Sequence, residues 1–215
     1  MSVERSKPRY RGVSHTWAFF AAVVATGALV AFARSSAASI VALVFGASLA
    51  TLFGVSTLYH RIDWSPEARQ RMRRLDHAAI FVLIAGGYTP LFYLFPRDER
   101  HTALWMIWIG AAAGVIKSLV WVRAPKWVTA LLCVAIGWMV VGEVIASVPA
   151  VGALSIGMLV ASGSIYSLGA LVYAAKRPDP IPGVFGYHEV FHAIVIVASA
   201  CLFVHVLLVL RAPSL

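Results

Sequence analysis

Three short stretches of this 215-residue chain carry side chains that could do chemistry together. One reads Ser56-Thr57-Leu58-Tyr59-His60, the next Arg74-Leu75-Asp76-His77, and the third Gly186-Tyr187-His188-Glu189-Val190-Phe191-His192. Residues four apart on a helix share a face, so His188 and His192 point together from one helix, as Ser56 and His60 do from another. Three imidazoles are enough protein ligands for a catalytic zinc ion, with water in the fourth position. Zinc lowers the pKa of such a water toward 7, and a carboxylate at Asp76 is suited to orient it and take its proton. Ser56 is suited to hydrogen-bond Asp76 or to steady a substrate oxygen. The expected metal ligands are therefore His60, His188 and His192, the expected catalytic residues Asp76 and Ser56, and the expected cofactor Zn2+. A His-xxx-His pair is a weak signal alone, and a polar network closing one end of a helix bundle is the competing reading.

These residues need elements to bring them to one depth, and composition says what those elements are. Apolar residues make up 60% of the chain and charged residues 13%, with a mean hydropathy of +0.83. Soluble domains run at about 45 to 50% apolar and about 25% charged, and a chain this short cannot bury so much apolar surface in one core. Lipid must be the solvent for much of it. Long apolar runs predict spans at 15–33, 38–60, 75–95, 103–121, 127–147, 151–174 and 188–210, each close to the roughly 20 residues a crossing needs. The expected fold is an all-α bundle of seven transmembrane helices: a cytoplasmic segment 1–14, a membrane domain 15–210 and a short outer tail 211–215. The basic leader before the first span resembles a signal peptide, but six further spans favour a retained helix.

Charge sets the direction. With the N-terminus inside, fourteen of the 18 Lys and Arg fall in inner segments, and Arg34, Arg97, Arg100 and Arg211 fall outside. Basic segments stay beside the anionic cytoplasmic leaflet, so the N-terminus is expected inside and the C-terminus outside. The chain is expected in the cell inner membrane as a multi-pass protein. This distribution explains the formal charge of +9 without a nucleic-acid partner. It also puts the inner ends of spans two, three and seven, with their His, Asp and Ser residues, at one depth. Ionisable groups there are functional candidates.

Other polar residues carry less. His77 diverges from Asp76 around the helix and reads as a packing or supporting residue. Glu189 is expected to face away from His188, toward basic residues of the inner loops. His101 is expected in a solvated outer loop. His205 lies thirteen residues beyond His192, roughly 20 Å at helical rise, too far to share its metal. Gly86-Gly87-Tyr88-Thr89-Pro90 suits close helix approach followed by a kink. Cys133 and Cys201 sit in apolar runs and read as small core residues.

At the three motifs, and at Ile84-Ala85-Gly86-Gly87-Tyr88-Thr89-Pro90, the sequence resembles the hemolysin III family of bacterial membrane proteins, related to the progestin and adiponectin receptor family. The resemblance runs from about Gly12 to about Leu210. It implies seven helices, a cytoplasmic N-terminus and zinc near the inner leaflet, held by His60, His188 and His192, with Asp76 toward the metal water and Ser56 one turn before the first ligand. Within the wider superfamily, which includes alkaline ceramidases, it implies a lipid amide hydrolase centre. Gly87 departs from the family pattern, where a threonine is expected, and no acidic residue stands just upstream of Ser56 as in some receptor relatives.

The leading expectation is a zinc-dependent hydrolase acting on a membrane lipid, through an amide bond. A non-enzymatic zinc-containing sensor or regulator of lipid homeostasis is the alternative. A lytic protein or transporter has less support, because the polar cluster is confined to one end of the helices. Membrane lipids are the expected partners; the sequence leaves the oligomeric state open.

Overall fold

The structure, a computed structural model, describes residues 10–95, 98–181 and 183–212. Arg5, Lys7, Arg9 and Arg97 of the charge pattern lie outside them. The helices in chain order are α1 (Val13–Ala31), α2 (Ser36–Arg61), α3 (Pro66–Leu94), α4 (Asp98–Val120), α5 (Lys126–Trp138), α6 (Val141–Ile145), α7 (Val148–Val151), α8 (Ala153–Ala175) and α9 (Tyr187–Leu210). Six of them, α1, α2, α3, α4, α8 and α9, are long and apolar enough to cross a membrane. The elements among the described residues are all helices, and the chain is a multi-pass membrane protein. Trp17, Trp105, Trp121 and Trp127 turn outward from the bundle, as interfacial anchors do.

Helix ends differ from the hydropathy reading where local chemistry overrides it. α3 begins at Pro66, nine residues before the apolar run, so most of the expected 61–74 loop is helix. Ser65 caps it by accepting the Ala68 N–H (3.3 Å), Pro66 occupies the first turn and Glu67 follows, a strong helix start. The charged stretch Arg69–Arg74 hides that helix from a hydropathy window. His101 lies in α4 rather than in a loop, and it is exposed as expected.

The expected span 127–147 is broken into α5 and α6. At the break the Gly137 carbonyl accepts the Tyr88 hydroxyl (2.5 Å), and the Trp138 indole N–H donates to Ser167 (3.0 Å). The stretch from Lys126 to Ala153 nevertheless traverses the bundle. Lys126 Nζ donates to the Tyr187 hydroxyl at the start of α9 (2.7 Å), whereas Ser155 meets His205 near its other end (3.0 Å).

The beginnings of α1, α3, α5 and α9 and the end of α2 thus share one end of the bundle. His15 on α1 bonds Ser56 on α2 (2.9 Å), and Arg73 on α3 donates to the Val122 carbonyl just ahead of α5 (2.8 Å). Close approach of α2 and α3 depends on Gly86, where an added Cβ would stand 2.3 Å from Ser48 Oγ. Pro90 lies inside α3, and Thr89 one residue before it returns its hydroxyl to the Ala85 carbonyl (2.8 Å).

Candidate metal centre

His60 comes from the last turn of α2, and His188 and His192 from the first two turns of α9. Each offers one ring nitrogen, and the three lie within 4.8 Å of one another. The Nε2 atoms of His60 and His188 stand 3.1 Å apart. A tetrahedral zinc with bonds of about 2.0–2.1 Å sets its ligand nitrogens about 3.4 Å apart, so one pair is close to that spacing and none is more than about 1.4 Å beyond it. His192 is 2% exposed and His60 7%, and His192 Nδ1 is buried without a hydrogen-bond partner. Three neutral imidazoles with converging nitrogens are costly without a shared proton or cation. The donor set fits a metal ion.

Asp76 and Ser56 line the same cavity as the three histidines. Ser56 stands beside Asp76, near enough to influence its carboxyl, and its oxygen lies 2.9 Å from His15 Nδ1. If the hydroxyl donates to the carboxylate, His15 Nδ1 carries the proton that Ser56 accepts. His15 is 3% exposed. Its ring lies parallel to that of His192, centroids 3.8 Å apart and planes 8° from coincident, and edge-on to Phe53 at 5.0 Å.

His15 is the residue that the motif reading missed. Nothing on α1 pairs with it at helical spacing to mark it, and its partner Ser56 is 41 residues away. The only signal is its position at the inner start of the first span, the depth assigned to the other three motifs. The turn before it also belongs to the site. Gly12 has φ +79°, and a Cβ there would meet the Cβ of His60 at 2.7 Å, so this turn lies directly over a proposed ligand. Arg11 Nε is 2.5 Å from Glu189 Oε1. Glu189 is 3% exposed, and its other oxygen accepts the Gly186 N–H that opens α9 (2.8 Å). Glu189 therefore ties the N-terminal turn to the helix that bears His188 and His192.

His77 lines the cavity, with Nε2 3.4 Å from the Tyr173 hydroxyl. His205 is fully buried away from the triad and bonds Ser155. Both cysteines are free thiols. The cavity has a volume of about 1140 Å³ and extends from basic residues such as Arg69 and Lys126, past the histidines, to Leu159, Trp138 and Leu202.

A helical membrane protein with a largely buried histidine triad in a long cavity is the class that these features define. The chain belongs to the haemolysin-III related family, whose model matches residues 3–203. It is 31% identical to "Hemolysin-3" of Bacillus cereus over 176 residues, 81% of this chain and 77% of that one. Identity to "Hemolysin-3 homolog" of Bacillus subtilis (strain 168) is 30%, covering 76% of this chain and 74% of the relative. With the human "Monocyte to macrophage differentiation factor" it shares 25% over 195 residues, 87% of this chain and 77% of that protein. That breadth fits the relationship to the progestin and adiponectin receptor family that the motifs indicate.

Proposed function

We propose that the protein is a zinc-dependent hydrolase of membrane lipids that cleaves an amide bond. The observation that carries this reading is the convergence of His60, His188 and His192 in a cavity that continues past Ile80, Leu83, Leu159 and Leu202, with Asp76 on the same wall. When bound, zinc would supply Lewis acidity for the carbonyl and for a water nucleophile.

The chain's own residues account for the rest. His60, His188 and His192 hold the ion. Asp76 takes a proton from the attacking water as the new C–O bond forms, then delivers it to the amine nitrogen as the C–N bond breaks, in the manner of a general base that becomes a general acid. Ser56, braced by His15, fixes the carboxylate through its hydroxyl. Leu159, Val195 and Leu202 take the hydrocarbon and exclude water from the deeper cavity.

Seven crossings with a cytoplasmic N-terminus and an outer C-terminus complete the reading, the broken stretch α5 to α7 serving as the fifth. The alternating directions of the helices and the fourteen-to-four partition of basic residues support it. The cell inner membrane is the compartment that this orientation implies.

The test is Asp76→Asn, which keeps size and most hydrogen bonding but removes the base. Turnover of a panel of amide-linked lipids should fall by about 100-fold or more while zinc content and thermal stability hold. Undiminished turnover in a folded, zinc-loaded variant would exclude Asp76 as the base. Full zinc occupancy with no wild-type turnover across the panel would favour a zinc-containing sensor instead.

A further inference from the structure

The cavity has a polarity of its own, which one face of α3 displays. Arg69, Arg73, Asp76, Ile80, Leu83 and Gly87 all line it, at the three- and four-residue spacing that keeps side chains on one helix face. From one end to the other this face passes from cations, to the proposed base, to hydrocarbon, over roughly 27 Å at helical rise. The positive-inside tendency accounts for basic residues at this end of the bundle. It gives no reason for two of them to lie on the cavity face, in line with Asp76.

A third cation meets this face from α5. Lys126 Nζ sits over the rings of Tyr173 (4.4 Å) and Tyr187 (4.7 Å) and donates to the Tyr187 hydroxyl. Tyr173 in turn lies 6.1 Å from the His188 ring, so Lys126 is one aromatic ring away from the triad. Arg73 gives one nitrogen to the Val122 carbonyl, while its Nε is buried without a hydrogen-bond partner. Among the described residues neither Arg73 nor Lys126 is ion-paired with a carboxylate; the ion pair at this end joins Arg11 to Glu189. Asp179 also lines the cavity, where it accepts the Tyr187 N–H (3.1 Å).

We propose that the ligand of this cavity is an anionic amphiphile. Its acyl chain lies along Ile80, Leu83 and Leu202, its hydrolysable linkage meets the triad, and its carboxylate or phosphate headgroup rests against Arg73 and Lys126. Only the bond cleaved rests on the hydrolase reading: water adds hydroxyl to the acyl carbon and hydrogen to the departing nitrogen, leaving a fatty acid and an amine that keeps the anion.

The experiment measures binding by full-length protein in zwitterionic nanodiscs, with protein-free discs subtracted. The probes are N-lauroylglycine, its uncharged glycinamide counterpart, N-lauroyl phosphoethanolamine and the tail-less N-acetylglycine. At least one anionic lauroyl probe should bind about tenfold or more tighter than the neutral one, the scale of one charge-assisted hydrogen bond; which of them does so separates carboxylate from phosphate. Lys126→Gln and Arg73→Gln should each shrink that preference, and Lys126→Arg should keep it. Arg73→Met, which also removes the charge but keeps an apolar stem, replaces Arg73→Gln if the latter does not fold. Equal affinity for charged and neutral probes would overturn the proposal, as would N-acetylglycine binding as tightly as its lauroyl analogue, which indicates a free-anion site. Turnover is read on the same samples. Charge preference without turnover removes the hydrolase reading and leaves the headgroup assignment standing, and turnover without charge preference does the reverse.

Discussion

The imidazole of His15 lies flat against that of His192, 3.8 Å between centroids, while its Nδ1 reaches Ser56 at 2.9 Å. One side chain thus braces both a proposed metal ligand and the hydroxyl proposed to hold the base. Groups that orient ligands from behind are typically worth about 10- to 100-fold in metal affinity. His15→Ala should weaken zinc binding on that scale. His15→Phe preserves the stacking and loses the Ser56 bond, so it should retain more zinc than His15→Ala and still lose turnover. Competition with a chelator of graded strength measures the first effect. Wild-type zinc affinity in His15→Ala would show the stacking to be incidental.

Arg11 and Glu189 form an ion pair in which the carboxylate is almost fully buried. Removing one partner of a buried pair strands the other charge, at about 3–5 kcal/mol; because the Arg11 side chain is 21% exposed, the lower part of that range applies. Arg11→Met should therefore lower the thermal midpoint in detergent clearly. Glu189→Gln can still accept the Gly186 N–H, and added to Arg11→Met it should restore much of the loss. A double variant no more stable than Arg11→Met would mean that the pair contributes little.

Gly12 combines a left-handed backbone with contact against His60. An alanine there meets both a conformational cost of about 1–2 kcal/mol and the His60 Cβ. Gly12→Ala should lower stability and zinc occupancy together, whereas Gly27→Ala, where an added Cβ meets nothing within 4 Å, should change neither. The two variants, melted and assayed for zinc side by side, decide the matter.

Orientation is tested separately. Single cysteines in a background lacking Cys133 and Cys201 should be labelled from the cytoplasmic side at 62–65 and from the outside at 32–35. The opposite pattern would invert the assignment of the site to the inner leaflet.

The triad was legible because its signals are local and repeated. His188 and His192 share a helix face by spacing alone, and the partition of Lys and Arg sets His60 and Asp76 at their depth without reference to the motif. His15 was not legible, since both its partners are tertiary and its own helix is almost uniformly apolar. The start of α3 was hidden for the opposite reason: Arg69 to Arg74 read as a polar loop, whereas Ser65 and Pro66 nucleate a helix that carries Arg69 and Arg73 into the cavity. The break between α5 and α6 lies in an unbroken apolar run. It is marked by the Tyr88 bond to the Gly137 carbonyl, a contact between residues 49 apart in the chain.

His60, His188 and His192 should hold one zinc ion per chain. Elemental analysis of protein purified without added metal and without an oligohistidine tag tests it directly, with His192→Ala compared against His205→Ala, which alters a buried histidine far from the triad. Close to one zinc per chain is expected in the wild type and in His205→Ala, and loss of most of it in His192→Ala. Equal zinc in the wild type and in a folded His192→Ala protein would contradict it.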